Sequence, residues 1–535
     1  MSEKTPIQST ATAADVPDGR RTVYLETFGC QMNVLDSQLV HAQLQALGYR
    51  FVDDWKRAAV VLYNTCSVRE HAESKVYSRV GEVGLHKKEH PQVVLGVIGC
   101  MAERDGTDMA RRHPQIDLMC GPGELDKLPM LIDNVAKTSI PARGGIDRVQ
   151  SALQGNTHRR SSTLAAVEDQ LEMLDLSRSF SPDGHNGSAY VRITRGCNKF
   201  CTYCVVPNTR GAEVHRPPDT IVHECKRLVD AGVIEITLLG QTVNHYHYDH
   251  DAAVTVNGVQ QPQVGSVVRP HASGPKPQTL SNSTSFADLL LRIDDEVPGL
   301  QRLRFVTNFP RDFGNDILQV MKDCPRICRY LHLPVQSGSN RILKLMNRGY
   351  TIEQYRDLID LVRRYLPDCE IATDIICGFG TETEQDHHAT ADLLRECRFK
   401  NAYIFKYSPR PGTAAFDRLE DDVPDETKRR RNNELLAVQS EISAGIHAAY
   451  VGKTLRVFVE SVSEKTRRAR DNGNGQSIFL GWEGPIAQLA GRTDGDLIAM
   501  FDGEESLVGS IVDVQVERSA PLALFGKLVD SPAVV

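Results

Sequence analysis

No stretch of this 535-residue chain stays apolar for the roughly 18 residues that a membrane span requires. Its first twenty residues, Met1 to Arg20, lack the apolar segment of a secretory signal, and their acids argue against a transit peptide. Residues 1–20 therefore read as a disordered tail, and the protein as cytoplasmic. A surplus of positive charge is also missing. The formal net charge is −7, so any contact with nucleic acid has to come from local basic surfaces. The 13 cysteines are odd in number and have no export signal, which excludes a disulfide framework and points to metal binding or catalysis. What is present is an ordinary globular composition, 41% hydrophobic and 24% charged, in a chain long enough for three or four domains of about 150 residues each.

Three early stretches share one pattern. Thr22 to Phe28 ends at Gly29-Cys30, Ala58 to Tyr63 at Asn64-Thr65-Cys66, and Val93 to Ile98 at Gly99-Cys100. Short apolar runs alternating with helical periodicity predict an α/β unit with a doubly wound parallel sheet over residues 21–140. Residues 141–188 read as a linker with a helical stretch near Leu164–Leu176. Six further apolar runs lie at Ala189–Ile193, Ile234–Leu239, Leu303–Val306, Tyr330–Leu333, Ile371–Ile376 and Ala402–Tyr407. Helical patterns separate most of them, which suits a partial TIM-type barrel of six β/α units over residues 189–447. Residues 245–285 form an insertion that reads as a long surface loop. A polar, basic helix around Lys428–Ser443 then leads to short β runs in residues 448–530, which predict a small antiparallel β-barrel.

Cys197-x3-Cys201-x2-Cys204 follows the first run of the second unit, in RGCNKFCTYC. Three thiolates in one loop hold three irons of a [4Fe–4S] cube and leave the fourth open to a small molecule. A structural zinc site closes with four ligands, and no fourth Cys or His falls in this loop. Cys30, Cys66 and Cys100 each end a strand-like run, and the carboxyl ends of parallel strands share one edge. Convergence on a second cluster is the preferred reading, with three separately buried thiols as the alternative.

The cysteine loop resembles the radical S-adenosylmethionine superfamily. TFGCQMNVLDS, NTCSVREHAESK, RGCNKFCTYCVVPNTRG and LHLPVQSGSNRILKLMNRGY resemble its methylthiotransferase family, over nearly the whole chain after Thr22. Gln31-Met32-Asn33, Arg69-Glu70 and Gln336-Ser337-Gly338 are similar to the branch that acts on N6-dimethylallyladenosine of transfer RNA. The resemblance implies a radical S-adenosylmethionine barrel with one [4Fe–4S] cluster on Cys197, Cys201 and Cys204. It also implies a second [4Fe–4S] cluster on Cys30, Cys66 and Cys100 that supplies or carries sulfur. The expected reaction converts the dimethylallyladenosine at position 37, next to the anticodon, to its 2-methylthio derivative. Alternatives are the same chemistry on threonylcarbamoyl-adenosine or on a ribosomal-protein aspartate, or a non-catalytic, metal-stabilised RNA-binding protein.

Other candidates weigh evenly against structural roles. Gly378 and Gly380 offer backbone for the cofactor to approach, although the family usually reads GFPGETE where this chain has GFGTETE. Thr307, Asn308, Gln336 and Ser337 lie at strand ends and are candidates for the ribose or adenine, with strand-end caps as the competitor. Asp374 reads as a hydrogen-bond anchor within a strand. Cys120, Cys225, Cys324, Cys328, Cys369, Cys377 and Cys397 read as small packing groups. A histidine-rich run, His245 to His250, reads as solvated loop. The C-terminal barrel resembles the TRAM domain, an OB-like RNA-binding module, yet Gly452 to Ser519 carries eight cations against eleven acids. Lys465, Arg467, Arg468 and Arg470 are its phosphate-facing candidates, and Phe479 and Trp482 its candidates for stacking. The expected partners are transfer RNA, an electron donor such as flavodoxin or ferredoxin, and an unidentified sulfur donor, with the enzyme a monomer free of membrane.

Overall fold

The computed structural model describes residues 21–67, 70–137, 149–154, 169–178, 186–265, 282–463, 466 and 486–529. The expected tail 1–20, Arg69, Lys465, Arg467, Arg468, Arg470, Phe479 and Trp482 lie outside the described residues, as does most of the expected linker.

The first unit is an all-parallel sheet of β1 (Thr22–Phe28), β2 (Arg50–Phe51), β3 (Val60–Thr65), β4 (Val94–Gly99), β5 (Leu118–Cys120) and β6 (Gln150–Ala152). The order is β2-β1-β3-β4-β5-β6. Helices cover both faces, and strict alternation along the strands explains how. Val61, Tyr63, Leu95 and Val97 meet α2 (Glu70–His86) and α3 (Cys100–Arg112) on one face, through Val76, Val80, Met101 and Met109. Val60, Leu62, Val94 and Ile98 meet α1 (Gln31–Ala46) and α4 (Leu128–Lys137) on the other, through Val40, Leu44, Leu128 and Ile132. Strands buried on both faces read as uninterrupted apolar runs. The edge strand β6 comes from within residues 141–188, the segment expected as linker.

The central unit holds two three-stranded parallel sheets. In one, β7 (Ser188–Arg192) and β9 (Arg302–Phe305) flank β8 (Glu235–Leu239). In the other, β10 (Tyr330–His332) and β12 (Asn401–Lys406) flank β11 (Glu370–Cys377). A parallel bridge between Leu303 and Ile327 links them, and one apolar core, including Val191, Leu238, Phe305, Leu331 and Ile375, spans both.

Three expectations need correction. Residues 245–265 are not an open loop: His247–Asp249 pairs with Ser283–Ser285, Thr255–Val256 with Val259–Gln260, and Gln263–Val264 with Val214–His215. Tyr248 is wholly buried there. The basic helix spans Asp425–Ala448, beyond both ends of the expected Lys428–Ser443, and packs with Lys428, Arg431, Gln439 and Ser443 buried. The closed C-terminal barrel is not wholly antiparallel. It comprises β13 (Thr454–Val462), β14 (Ile486–Thr493), β15 (Ile498–Glu504), β16 (Ile511–Ala520) and β17 (Ala523–Leu528), and its β15–β17 ladder is parallel.

This barrel docks on the strand starts of the central unit. Arg302, the first residue of β9, donates to the Arg492 and Thr493 carbonyls at 2.9 and 2.8 Å. Asp496, left-handed at φ +62°, pairs with Lys400 at 2.6 Å, Arg492 at 3.1 Å and Arg304 at 3.2 Å. Burial would raise the Asp496 carboxyl, but Lys400, Arg492 and Arg304 outweigh it and hold it at about 2. An unfolded aspartate titrates near ~3.9, so this stabilisation is complete above about pH 4 and is lost as the pH falls toward 2. Asp496→Asn should cost about 3 kcal/mol in chemical denaturation at pH 7, as breaking a buried pair does. An unchanged midpoint would show that the pair carries no weight.

Candidate functional site

The first three thiols stand where adjacent parallel strands end. Cys30 follows β1 and caps α1, Cys66 follows β3 with its N–H on the Phe28 carbonyl at 2.9 Å, and Cys100 opens α3 after β4. The chain reverses its direction of sheet growth between β1 and β3, the place where open α/β sheets leave a crevice. A buried amide web orders the loops. Asn33 donates to Asn64 Oδ1 at 3.0 Å and to the Thr65 carbonyl at 3.1 Å, and Asn64 returns a hydrogen bond to the Asn33 carbonyl at 2.8 Å. Gly99 sits at φ +92°, and a Cβ there would lie 2.4 Å from Asn64 Oδ1, so glycine alone fits beneath the web.

A hydrogen bond from Cys66 holds Cys30 down at about 6 against burial. The charge of Arg210 and the backbone N–H groups of Asn33 and Met32 assist. Cys100 is pushed up by burial, against the pull of Arg210.

The second three thiols lie on one loop beyond β7. Cys197 is buried, with its N–H on the Gly211 carbonyl at 3.2 Å, and Cys204 closes a turn onto the Cys201 carbonyl at 3.0 Å. Phe200, between the first two, is left-handed at φ +47°, and its carbonyl accepts from Asn347 at 3.0 Å. Arg348 is the hub of this loop. It donates to Cys201 Sγ at 3.4 Å, Tyr203 at 3.3 Å, Tyr350 at 3.0 Å and the Pro334 carbonyl at 2.6 Å. Burial raises Cys197 well above the usual thiol range and Cys204 to about 12. Such thiols surrender their protons when a metal replaces them.

The two sets belong to one site. Arg210, six residues beyond Cys204, reaches out of the second loop to Asp36 of α1 at 2.6 Å, and its charge pulls Cys100 and Cys30 down. Cys100 is close enough for its charge to act on Cys204. Met32 and Leu35 of α1 pack on Leu239, the last residue of β8, so the first sheet's crevice sits over the strand ends of the second unit. Each set offers three sulfur donors, the donor chemistry of a [4Fe–4S] cluster with one iron left open.

The remaining candidates are held by their surroundings. Gly378, at φ +71°, donates to Glu382 at 2.7 Å, and a Cβ would lie 2.4 Å from Lys428 Cγ. A Cβ on Gly380 would lie 2.7 Å from the Glu420 carbonyl. Packing therefore requires both glycines whether or not a ligand touches them. Thr307, left-handed at φ +66°, donates to the Gly240 carbonyl at 2.7 Å, tying two strand ends. Asn308 donates to the His332 carbonyl at 3.1 Å, and its buried Oδ1 has no partner among the described residues, which leaves it an open acceptor. Gln336, at φ +78°, continues the ladder to β11, and Ser337 is fully buried, accepting from the Ser339 N–H at 3.2 Å. Asp374 anchors His332 at 3.1 Å. Sequence reasoning missed Arg210, Arg348, Asn33 and Asn64. Their arginine and asparagine types carry no metal-binding signature, and only their contacts reveal the role.

Comparison with known proteins follows this geometry. Residues 22–121 match the family described as Uncharacterized protein family UPF0004, and residues 191–394 match the Radical SAM superfamily. The tRNA-2-methylthio-N(6)-dimethylallyladenosine synthase of Rhodopirellula baltica is 40% identical over 95% of both chains. The enzyme of that name from Aquifex aeolicus is 36% identical over 95% of this chain and 98% of its own. Among solved structures, the radical S-adenosylmethionine methyltransferase TsrM from Kitasatospora setae superposes with a TM-score of 0.46 over 74% of each chain, at 16% identity.

Asn33→Ala removes the centre of the amide web and takes away the side-chain donor to Asn64 Oδ1 and the Thr65 carbonyl, while Asn64 keeps its bonds to the Asn33 carbonyl and Ser37. It should cost about 2 kcal/mol and lower iron after reconstitution from about eight to about four per chain. Full iron loading of the variant would show that the web does not hold the first three thiols.

Proposed function

This chain belongs to the tRNA-2-methylthio-N(6)-dimethylallyladenosine synthase family, and from that premise we propose how its residues divide the reaction. The protein is a radical S-adenosylmethionine tRNA methylthiotransferase, which converts N6-dimethylallyladenosine next to the anticodon to its 2-methylthio form. Its cofactors are [4Fe–4S] clusters and S-adenosylmethionine. When bound, these groups supply the hydrogen-abstracting radical, the sulfur and the methyl group.

The residues share the work as follows. Cys197, Cys201 and Cys204 ligate the radical-forming cluster, and Arg348 holds Cys201 by a hydrogen bond while stacking over the Phe309 ring at 4.5 Å. Cys30, Cys66 and Cys100 ligate the second cluster. Arg210 keeps that set directly over the first. Thr307, Asn308, Gln336, Ser337, Gly378 and Gly380 line the strand ends toward S-adenosylmethionine, with Asn308 Oδ1 the open acceptor for the adenine or ribose. The two parallel sheets act as one partial (β/α)6 barrel, and the C-terminal barrel acts as a TRAM module that meets transfer RNA through Lys465, Arg467, Arg468 and Arg470. No described helix is long and apolar enough to cross a membrane. The enzyme works as a cytoplasmic monomer, served by flavodoxin or ferredoxin and by a separate sulfur source.

The observation that carries this reading is that Arg210, from the segment just beyond the second three thiols, pairs with Asp36 of the first unit and acts on Cys30 and Cys100, while the charge of Cys100 reaches Cys204. A loop adenosine suits such a site, because an unpaired base can leave its stack. The test is the anaerobically reconstituted enzyme with S-adenosylmethionine, dithionite and an anticodon stem-loop bearing dimethylallyladenosine. Methylthiolated product and 5′-deoxyadenosine are expected together. Cys201→Ala should abolish both and keep about four irons, whereas Cys66→Ala should still release 5′-deoxyadenosine but form no methylthio product. Product from Cys66→Ala would refute the division of labour.

A further inference from the structure

Beside the second cysteine loop, Glu213, His215 and His245 bring a carboxylate oxygen and two imidazole nitrogens within 4.8 Å of one another. Glu213 and His215 are fully buried, and His245 is nearly so. The insertion assembles the trio. Gln263–Val264 pairs with Val214–His215, Gly265 donates to the Glu213 carbonyl at 2.8 Å, and the His247 N–H meets His215 Nδ1 at 3.4 Å. That contact leaves Nε2 as the ring nitrogen for a ligand.

Two observations go beyond a hydrogen-bonded cluster. Glu213 Oε1 is served twice, by Thr242 at 3.0 Å and His245 Nδ1 at 2.9 Å, but the buried Oε2 has no partner among the described residues. A buried carboxylate oxygen left bare is costly. In addition, His215 Nε2 faces Gly265, where a Cβ would sit 2.4 Å from that nitrogen, so only glycine at this place leaves it uncovered by a side chain. Burial also holds His215 at about 4, so the imidazole is neutral and able to ligate.

We propose that Glu213, His215 and His245 form a binding site for a zinc-class divalent transition ion, separate from the two thiol sets. The donors are two nitrogens and one oxygen, with a fourth position for water, which is a zinc pattern. Tetrahedral ligands at ~2.1 Å lie about 3.4 Å apart, so the trio closes by little more than 1 Å around an ion. The ion would pin His245, at the root of the insertion, to the strand that follows the cysteine loop. Glu213 is also tied to that loop through its N–H, which donates to Asn198 at 3.1 Å, next to Cys197.

The test uses reconstituted holoenzyme given zinc chloride, then gel filtration, zinc and iron analysis, and X-ray absorption at the zinc edge, which the iron clusters do not obscure. About one zinc per chain is expected, with nitrogen and oxygen neighbours, imidazole scattering and undiminished iron. His245→Gln should lose at least ten-fold of the retained zinc and keep its iron; Glu213→Gln should do the same. Absence of zinc from the wild type, sulfur neighbours at the zinc edge, or equal zinc in both variants would overturn the site. Any of these would mark the trio as hydrogen-bonded support for the loop.

Discussion

The buried guanidinium of Arg210, which ties the segment beyond the second cysteine loop to the first unit, is the constraint around which the site is organised. Arg210 leaves the second cysteine loop, meets Asp36 of the first unit and acts on Cys100. An unpaired charge there would be prohibitive, so the carboxylate of Asp36 has to be present. The same demand propagates outward. Arg192 lies 3.7 Å from Asp36 and 2.7 Å from Asp175, Arg216 lies 2.7 Å from both Glu172 and Glu224, and Arg178 lies 3.0 Å from Glu224. Four guanidiniums face four carboxylates, so the buried network is electrically neutral. Its acids Glu172 and Asp175 come from the helix Gln170–Ser177, which thereby welds the first sheet to the second unit.

Docking at opposite ends follows from this arrangement. The thiols follow the finishing ends of β1, β3, β4 and β7, while the C-terminal barrel grips the central unit at β9 and the start of β12 through Arg302, Arg304 and Lys400. Strands β7 and β8, of five residues each, span about 17 Å from one end to the other.

What could be read beforehand was whatever is local or periodic. Three thiols within eight residues announce a cluster loop, and Cys30, Cys66 and Cys100 were legible because each ends an apolar run. Contacts across long separations were not legible. Asp36 and Arg210 stand 174 positions apart, and nothing in either neighbourhood marks the pair. The insertion's strands are only two or three residues long, too short to show alternation, so their pairing with Val214–His215 left no trace. The parallel β15–β17 ladder joins two runs that look like any other pair in a meander. Strand β6, at three residues, was hidden in polar sequence for the same reason.

The two thiol sets differ in how their charge is met. Arg210 is already neutralised by Asp36, so the first set gains from it only a residual pull, which falls mainly on Cys30 and Cys100. Arg348 pairs with no carboxylate among the described residues. Its partners are two phenols, a carbonyl and Cys201 Sγ. A buried guanidinium with only neutral partners is incompletely compensated, so Arg348 favours negative charge beside it. The protein therefore holds in reserve, at one corner of the second set, the positive charge that metal binding there calls for. In the first set Cys30 is held down by the hydrogen bond from Cys66, by Arg210 and by backbone N–H groups at the start of α1, whereas Cys100 stays raised by burial. The two sets thus meet their charge through different neighbours, and neither arrangement is visible in the cysteines themselves.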